Sequence, residues 1–469
     1  MALNLVRNSR VYFTSNVDSF GVVAGTGFDA TNTQEIQVLD GFTFSQNTNA
    51  DTVTISEAGV APVRGQRSFN TSLAPVDFSL STYIRPANAT TSITAEESVL
   101  WNSLFSANAI STANTLSIAA SGVTAAYAFA SGDGTVTLTG TFTLGTLAVG
   151  DWVVISGLSH ATDGTILNAA AKVMTATTSS ITLTLATPKA AGAAITTITA
   201  PSAVKLYKSA WAPVAATYSV VSSGGSNVNQ LQKFGMIFVV DNVTYVVDNC
   251  AMNQITIDFG LDAIATAAWT GQGTVLRALS SALTLTSAGV KNTTAPFITN
   301  KLSTVTMSLV NALGSAAAGT SYAVALTGGS ITINNNISYV TPANLGVVNL
   351  PAVYYTGTRA ISGTLNAYLK TGSGIGSTGQ LLQDMLAAAS ASIEPMAALS
   401  IVIGGTTNAT KVVLEMPAVT FSIPTVDVQQ VVSTAINFTA EGYTPSSVAG
   451  SNVFALDETN DIAVRYYSA

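Results

Sequence analysis

Charged side chains are scarce in this chain, and their scarcity limits what the protein can be. Only 9% of the 469 residues are Asp, Glu, Lys or Arg, against roughly a quarter in an ordinary soluble domain. A free monomer with so little surface charge would be poorly soluble. The composition therefore predicts either a membrane protein or a chain whose surface is largely buried in an assembly.

Long apolar runs are also lacking, which argues against a membrane protein. Thr, Ser, Asn and Gly interrupt every hydrophobic stretch, so none reaches the roughly 18 residues that a spanning helix needs. The first residues, MALNLVRNSRVYF, have no apolar segment of the kind found in secretory signal peptides. Units that contain helices do not suit an outer-membrane barrel either. We therefore expect no membrane insertion and favour an assembling protein.

Basic residues, cysteine and histidine are few, which argues against a nucleic-acid-binding surface, disulfide bonds and a metal or catalytic site. With 17 basic against 24 acidic side chains, the formal net charge is -7, and no basic cluster offers a surface for gripping nucleic acid. The single cysteine, Cys250, excludes an internal disulfide and fits a reducing cytoplasm. The single histidine, His160, lies beside Ser159 and Asp163 between two glycine turns, where a loop residue is favoured over a catalytic triad. We predict no metal site and no cofactor, because one His and one Cys offer no ligand set.

One glycine pattern resembles a phosphate-binding loop. Gly374-Ile-Gly376-Ser-Thr-Gly379 follows a predicted strand and precedes a predicted helix, as in dinucleotide-binding folds. However, the corresponding stretch elsewhere in the chain, PANATTSITAE, has no glycine, and the strands alternate as in an antiparallel sheet. A flexible loop is the preferred interpretation, and no enzymatic activity is predicted.

What the sequence does contain is a long internal repeat. In each copy an alternating strand of apolar and small polar residues leads to a Tyr, and a short amphipathic helix begins about ten residues later. The match extends in both directions, which indicates two copies of one domain. The matching stretches are 77–105 with 360–389, 38–59 with 326–346, and 249–273 with 415–442.

Two details of the repeat give testable expectations. Capping boxes are predicted at both helix starts, Thr94 with Glu97 and Ser377 with Gln380. The alignment also matches two residue pairs in the last stretch, Asp258 with Asp427 and Trp269 with Phe438.

The predicted fold class is mainly β, with a helix flanking the sheet in each copy. After the first helix, an Ala/Thr/Gly-rich stretch with several short strand-like runs interrupts the first copy and reads as an inserted small all-β domain. The predicted boundaries are 1–110 plus 212–275 for the first domain, 111–211 for the inserted domain, 276–296 for a linker, 297–445 for the second domain and 446–469 for a C-terminal arm.

Several long segments closely resemble the tail tube (major tail) proteins of siphophages, in the duplicated form that carries two tube domains. They include TISEAGVAPVRGQRSFNTSLAPVDFSLSTYI, GGSITINNNISYVTPAN, SGTLNAYL and IPTVDVQQVVSTAINFTA. The resemblance covers nearly the whole chain except the insertion and the last twenty or so residues. It implies two tandem β-sandwich domains whose sheets join into a barrel around a lumen, in trimeric, pseudo-hexameric rings that stack into a tail.

The resemblance also implies partners and a location. The expected partners are further copies of the chain, a tape measure protein, a tail terminator, and distal tail or baseplate proteins. Viral DNA would pass through the lumen without specific binding, and the protein would be assembled in the host bacterial cytoplasm and end in the virion. The alternative is a secreted surface-array or adhesin-type β protein, which only the Thr/Ser/Ala-rich composition supports.

Two sets of residues are candidates for a functional role. Acids at the ends of otherwise apolar or neutral strands either cap turns or face the lumen, and the strands of the repeat are candidates for pairing between subunits. The candidate lumen-lining acids are Asp258, Asp262 and Asp427. The candidate intersubunit residues are Ser79, Leu80, Ser81, Leu365, Asn366 and Ala367.

Overall fold

The structure is a computed structural model of the chain. It describes residues 9–39, 41–56, 64–87, 94–105, 115–118, 123–130, 133–144, 147, 149, 152–159, 167, 170–185, 198, 204–208, 217–221, 231–241, 243–261, 263–279, 283–290, 297–300, 303–309, 321–370, 377–390, 396–404, 411–423, 425–428, 432–441, 443–444, 455–456 and 461–467.

The first copy begins with a series of strands that follow the period-2 pattern. In the second half of the long β4, Val76, Phe78 and Leu80 are buried while Asp77 between them is exposed, because successive strand side chains point to opposite faces. The elements are β1 (Ser9–Thr14), β2 (Thr33–Ile36), β3 (Thr43–Ser56), β4 (Arg64–Tyr83), β5 (Pro86–Ala87), β6 (Thr94–Ala95) and helix α1 (Ser98–Phe105).

The stretch predicted as an insertion forms a separate seven-stranded antiparallel sheet. Its spatial order is β7-β13-β10-β11-β12-β9-β8, and it has a hydrophobic core of its own around residues such as Val136, Ile155 and Leu183. The strands are β7 (Thr115–Ile118), β8 (Thr124–Ala130), β9 (Asp133–Thr139), β10 (Trp152–Ser156), β11 (Ala170–Ala176), β12 (Ser180–Leu185) and β13 (Val204–Lys208).

The chain then completes the first copy and builds the second. Strands β14 (Thr217–Val221), β15 (Phe234–Val240), β16 (Val243–Gly260), β17 (Thr266–Gly273) and β18 (Val275–Leu279) follow the insertion. The second copy contains β19 (Thr304–Leu309), β20 (Ser321–Ala323), β21 (Leu326–Asn334), β22 (Ser338–Val340), β23 (Val353–Tyr355), β24 (Ala360–Tyr368), helix α2 (Thr378–Ser390), β25 (Met396–Gly404), β26 (Lys411–Phe421), β27 (Thr425–Val428), β28 (Val432–Glu441), β29 (Tyr443–Thr444), β30 (Ala455–Leu456) and β31 (Ala463–Tyr467).

One antiparallel sheet runs through both copies. Its order is β3-β4-β17-β16 from the first copy and β21-β24-β28 from the second, and β16 pairs directly with β21 across the boundary. The far side of β28 is paired with the end of β26 and with β27. We call this the shared sheet.

A second layer covers one face of the shared sheet. In the first copy its order is β2-β1-β15-β16-β18, and in the second copy it is β20-β19-β25-β26-β31-β14. The long strands β16 and β26 pass from one layer into the other. A single hydrophobic cluster, which includes the helix residues Trp101 and Met385, fills the space between the layers in both copies. The predicted β-sandwich with flanking helices is thus confirmed. In the described part of the chain, neither helix has the length and hydropathy to span a bilayer.

The two copies correspond residue by residue where they carry the same β-bulge. Val247 of β16 and Met416 of β26 stand beside that bulge at equivalent places, opposite β15 and β25, and are 169 positions apart (416 - 247). The same shift relates Asp258 to Asp427 (427 - 258), as the sequence alignment predicts.

The predicted match of Trp269 with Phe438 is wrong by two residues. The partners of the two aspartates are Thr266 and Ser433. Trp269, three residues further along β17, therefore corresponds to Ile436 and not to Phe438. A sequence alignment without structure favoured the match of two aromatic residues over the true register.

The two copies place a large side chain on different strands, which is why matching aromatic residues gave the wrong alignment. Phe78 lies opposite Gly271, where a Cβ atom would stand 2.3 Å from its ring, and Phe438 lies opposite Gly363, where a Cβ would stand 2.4 Å away. Because Gly271 corresponds to Phe438 and Phe78 corresponds to Gly363, the copies fill the same space with the large residue on opposite strands.

The helix starts follow the predicted capping only in the second copy. The Ser377 hydroxyl accepts the backbone N–H of Gln380 at 3.2 Å, as expected of an N-cap, while the Gln380 side chain donates to Asp384. In the first copy, helix α1 begins only at Ser98, and the buried Glu97 carboxylate accepts hydrogen bonds from Tyr466 of the C-terminal strand and from Trp101 of its own helix.

The segment predicted as a C-terminal arm contributes a strand to the second copy. β31 lies between β26 and β14. Its Arg465 makes a buried ion pair with Glu415 at 2.5 Å, and the preceding Asp461 binds Arg359 at 2.7 Å. The end of the chain is thus tied to the second copy by backbone pairing and by charge.

Candidate functional site: the uncovered face and the edges of the shared sheet

The shared sheet has one apolar face and one polar face. The apolar face packs on the second layer, whereas the polar face carries mostly uncharged polar side chains with a few carboxylates, and no layer covers it among the described residues. Positions on the polar face include Thr43, Ser45, Ser79, Ser81, Gln254, Thr256, Thr270, Gln272, Ser330, Thr332, Ser362, Thr364, Asn366, Asn437 and Thr439.

Side-chain hydrogen bonds link neighbouring strands across this polar face. The hydroxyls of Thr43 and Ser79 lie 2.7 Å apart, those of Thr256 and Thr332 lie 3.1 Å apart, and Thr364 donates to Asn437 at 2.7 Å. Cross-strand hydroxyl pairs of this kind add modestly to sheet stability. They also hold the polar groups in place, so the face is a fixed surface of hydroxyls and amides.

Carboxylates supply the charge on the polar face. Asp258 is exposed and lies opposite Thr266 and Ser330, and Asp77 is exposed and accepts a hydrogen bond from Gln272 at 2.9 Å. None of the polar-face positions named above is Lys or Arg; the exposed Arg67 lies further out, on the outer half of the β3–β4 hairpin. A surface of hydroxyls, amides and carboxylates lacks the clustered cations whose counterion release dominates affinity for a phosphate backbone.

The three acids predicted from the sequence have different outcomes. Asp258 lies on the polar face. Asp427 lies in β27 opposite Ser433, at the position equivalent to Asp258. Asp262 lies outside the described residues. Sequence reasoning missed Asp77, although its place between buried Val76 and Phe78 in an alternating strand was a usable signal.

The strands predicted to pair between subunits are interior strands of the chain itself. Ser79 lies between Thr43 of β3 and Thr270 of β17, and the Ser81 carbonyl accepts the Leu39 N–H at 2.7 Å. The residue between them, Leu80, lies opposite Trp269.

The second predicted strand is enclosed in the same way. Leu365, Asn366 and Ala367 have partners in both β21 and β28. At all six residues the backbone groups are already used within the chain, so strand pairing with another subunit has to use other strands.

The junction between the copies is a complete strand pair. Residues Gln254 to Gly260 of β16 lie opposite Asn334 to Gly328 of β21, in antiparallel register. At its end, Phe259 lies opposite Gly329, where a Cβ atom would stand 2.9 Å from the Phe259 ring. The same Cβ would stand 2.5 Å from the backbone carbonyl oxygen of Thr364, so the Phe259 ring and the neighbouring backbone together require glycine at this position.

The shared sheet ends in two strands with an unused side. Among the described residues, β3 pairs only with β4, and β27 pairs only with β28. An unpaired strand edge presents a row of backbone donors and acceptors that another strand can satisfy. These two strands, rather than those predicted, are the candidate contact edges.

A buried hydrogen-bonded group of Glu97, Trp101 and Tyr466 joins the two copies on the covered side of the shared sheet. The Tyr466 hydroxyl of β31 donates to Glu97 Oε1, and the Trp101 indole N–H donates to the Tyr466 oxygen at 2.7 Å. Burial raises the pKa of Glu97 to about 8, and nearby Glu96 adds to the rise while the Tyr466 hydrogen bond opposes it. Glu97 is thus mostly protonated at neutral pH, a state that depends on a residue 369 positions away and that no local pattern predicts.

The structure adds little on the remaining candidates for chemistry, which are His160, the glycine pattern and a metal site. His160 and the first part of the Gly374–Gly379 pattern lie outside the described residues. Within the described part of the chain, no group of three or more His, Cys, Asp or Glu side chains could hold a metal ion.

Comparison with known proteins gives one informative match. No family model matches the chain. It is similar to the tail tube protein pb6 of Escherichia phage T5, with 24% identity over 450 residues, which cover 94% of this chain and 73% of that protein. The match extends through both copies and the stretch between them.

Proposed function

The chain is a relative of siphophage tail tube proteins, and from that premise we propose that it is the protomer of a hollow phage tail through which DNA passes during ejection. Its role is structural rather than catalytic, in the tail of the virion. The observation that carries the proposal is the shared sheet, which runs through both copies and which the described residues cover on one face. A sheet with one uncovered polar face can line a channel with that face.

The chemistry of the polar face suits passage of DNA better than binding. DNA carries one negative charge per about 1.7 Å, and a basic wall would hold it by releasing counterions. Between the two edges of the shared sheet this face offers hydroxyls, amides and the carboxylates of Asp77 and Asp258, and the exposed Arg67 lies on the outer half of the β3–β4 hairpin. We assign Asp258 to the lumen and propose the same place for Asp427 and Asp262.

The repeat suggests how a ring closes. If each copy occupies one sixth of the ring, three chains complete it with true threefold and approximate sixfold symmetry. The shared sheet then continues from chain to chain and leaves no open edge.

Rings would stack through the ends of the barrel. The outer half of the β3–β4 hairpin extends beyond the sheet and exposes Val53 and Phe69, each about half accessible. Beside it, a loop of the second copy is held to β4 through Asn349 and exposes Leu345 and Val347. Apolar groups at the end of a ring are suited to contact with the next ring. At the two tail ends, the tail terminator and the distal tail or baseplate proteins would take the place of a ring, and the tape measure protein would occupy the lumen.

The proposal is tested by purifying the chain expressed alone and imaging it by electron microscopy. Hollow tubes are expected, with a threefold repeat in cross-section and a ring mass of three chains of 47.8 kDa each. Rings of six chains would contradict the stoichiometry. Flat arrays without a lumen would contradict the function and favour a surface-array protein.

A further inference from the structure

The internal repeat allows the contact between two chains to be read from the contact inside one chain. β16 of the first copy corresponds to β26 and β27 of the second with a shift of 169 positions, so Thr256 corresponds to Thr425 (425 - 256). In a ring, β27 is the last strand of one chain, and it stands where β16 stands in the first copy.

The opposite edge can be aligned in the same way. Trp269 and its counterpart Ile436 lie opposite Leu80 and Leu365, so the neighbouring Ser79 corresponds to Thr364. Their partners on the next strand are Thr43 and Ser330. β3 therefore corresponds to β21 with a shift of 287 positions (330 - 43).

We propose that β27 of one chain pairs antiparallel with β3 of the next, in the register that β16 and β21 use within the chain. Thr425 then lies opposite Ser45, Val426 opposite Phe44, and Asp427 opposite Thr43. The proposal rests on the proposed ring and names the residues that close it.

The residues at the proposed contact match those at the internal junction. Within the chain, Thr256 and Thr332 face each other on the polar face with hydroxyls 3.1 Å apart. Their counterparts, Thr425 and Ser45, are again two hydroxyl residues. On the apolar face, the internal pair Ile257 and Ile331 is buried.

The pair on the apolar face of the proposed contact is apolar, as it is at the internal junction. The counterparts of the two isoleucines are Val426 and Phe44, and Phe44 is only partly buried against the core in the single chain. Phe42, the counterpart of Gly329, is likewise only partly buried. Pairing with β27 would cover both aromatic rings, a gain of apolar burial that drives association.

Size is complementary at the next pair along the strands. Inside the chain, the bulky Phe259 lies opposite Gly329. At the proposed contact the smaller Val428 lies opposite the larger Phe42. The large residue has changed strand, as it has at the Phe78 and Phe438 positions, and the pair still combines one large with one smaller side chain.

Engineered cysteines test the register, because the one native cysteine, Cys250, is buried. A chain with Thr425→Cys and Ser45→Cys should form tubes that cross-link on oxidation into covalent trimers, seen by electrophoresis without reductant. Disulfides need Cβ atoms about 3.5–4.5 Å apart, which directly opposite strand residues approach. Each single variant should stay uncross-linked.

Two matched variants serve as controls. Thr256→Cys with Thr332→Cys copies the pair inside the chain and should form an intramolecular disulfide. Thr425→Cys with Thr43→Cys is displaced by two residues, with Cα atoms roughly 7–8 Å apart, and should cross-link at least tenfold less.

Different outcomes would contradict the proposed strand register and the proposed tube function. Tubes that cross-link through Thr43 rather than Ser45, or through neither although the internal control does, would overturn the register and leave the tube function standing. A wild-type chain that forms no tubes would instead overturn the proposed function.

Discussion

Protonation of Glu97 should make the folded chain more stable at mildly acidic pH. The pKa of Glu97 is about 8 in the folded protein, against 4.5 for the ordinary side chain. The folded state therefore keeps a proton that the unfolded state releases. Its contribution to stability is fully present below about pH 4.5 and is lost as pH rises through 8.

The size of the effect follows from the pKa difference. Between the two pKa values, one proton of difference changes the free energy of unfolding by about 1.4 kcal/mol per pH unit. From pH 5.5 to 7.5 the wild type should thus lose about 2–3 kcal/mol of unfolding free energy relative to a variant that cannot titrate. Glu97→Gln is that variant, since it keeps the shape of the side chain and stays neutral.

Guanidinium unfolding of the full chain at pH 5.5, 6.5 and 7.5 measures this difference. All other titrating groups are shared by the two proteins, so subtracting one pH profile from the other isolates Glu97. Asp77→Asn, on the exposed polar face, is the control and should follow the wild-type profile. Parallel profiles for wild type and Glu97→Gln would refute the buried, protonated carboxyl.

Three further predictions concern the sheet, the lumen and the insertion. Gly271→Val should destabilise the chain by about 1–3 kcal/mol or prevent folding, because a Cβ there stands 2.3 Å from Phe78, whereas Gly260→Val, with nothing within 4 Å, should be tolerated in a denaturation assay. Asp258→Lys should leave tubes intact but slow DNA ejection, more at low salt than at high salt because screening weakens; Asp258→Asn should have a smaller effect, and normal ejection of the Lys variant at low salt would remove Asp258 from the lumen. Replacing residues 112–210 by a short Gly/Ser linker should leave tube assembly intact, because that stretch has its own hydrophobic core; an unfolded protomer, detected by circular dichroism, would contradict this.

Local pattern was enough to predict the strands and the two copies, but not how the strands are ordered in space. The alternation around Ser79 and Leu365 correctly indicates strands with one buried face. Whether such a strand lies at an edge depends on distant segments, and here β3 and β21 occupy the edges that were expected to be free.

Long-range contacts also explain the wrong prediction for the first helix. Glu97 fits the spacing of a capping box, but Tyr466, which is 369 residues away, draws its carboxyl into the core. A capping-box pattern takes account only of hydrogen-bond partners that are close in the sequence. The fit of Ser377 to its predicted cap shows that the rule holds where no distant partner intervenes.

If the proposed contact between chains forms, the exchange of large and small residues between the copies would select which copies pair. If the first copy of one chain met the first copy of another, Phe259 would face Phe42, and the two rings would compete for the same space. If two second copies met, Val428 would face Gly329 and leave a gap. Only the alternation of first with second copies fills every junction. With the proposed contact, two halves made as separate polypeptides would therefore still alternate, because side-chain volume as well as the covalent chain would set the order of copies around the ring.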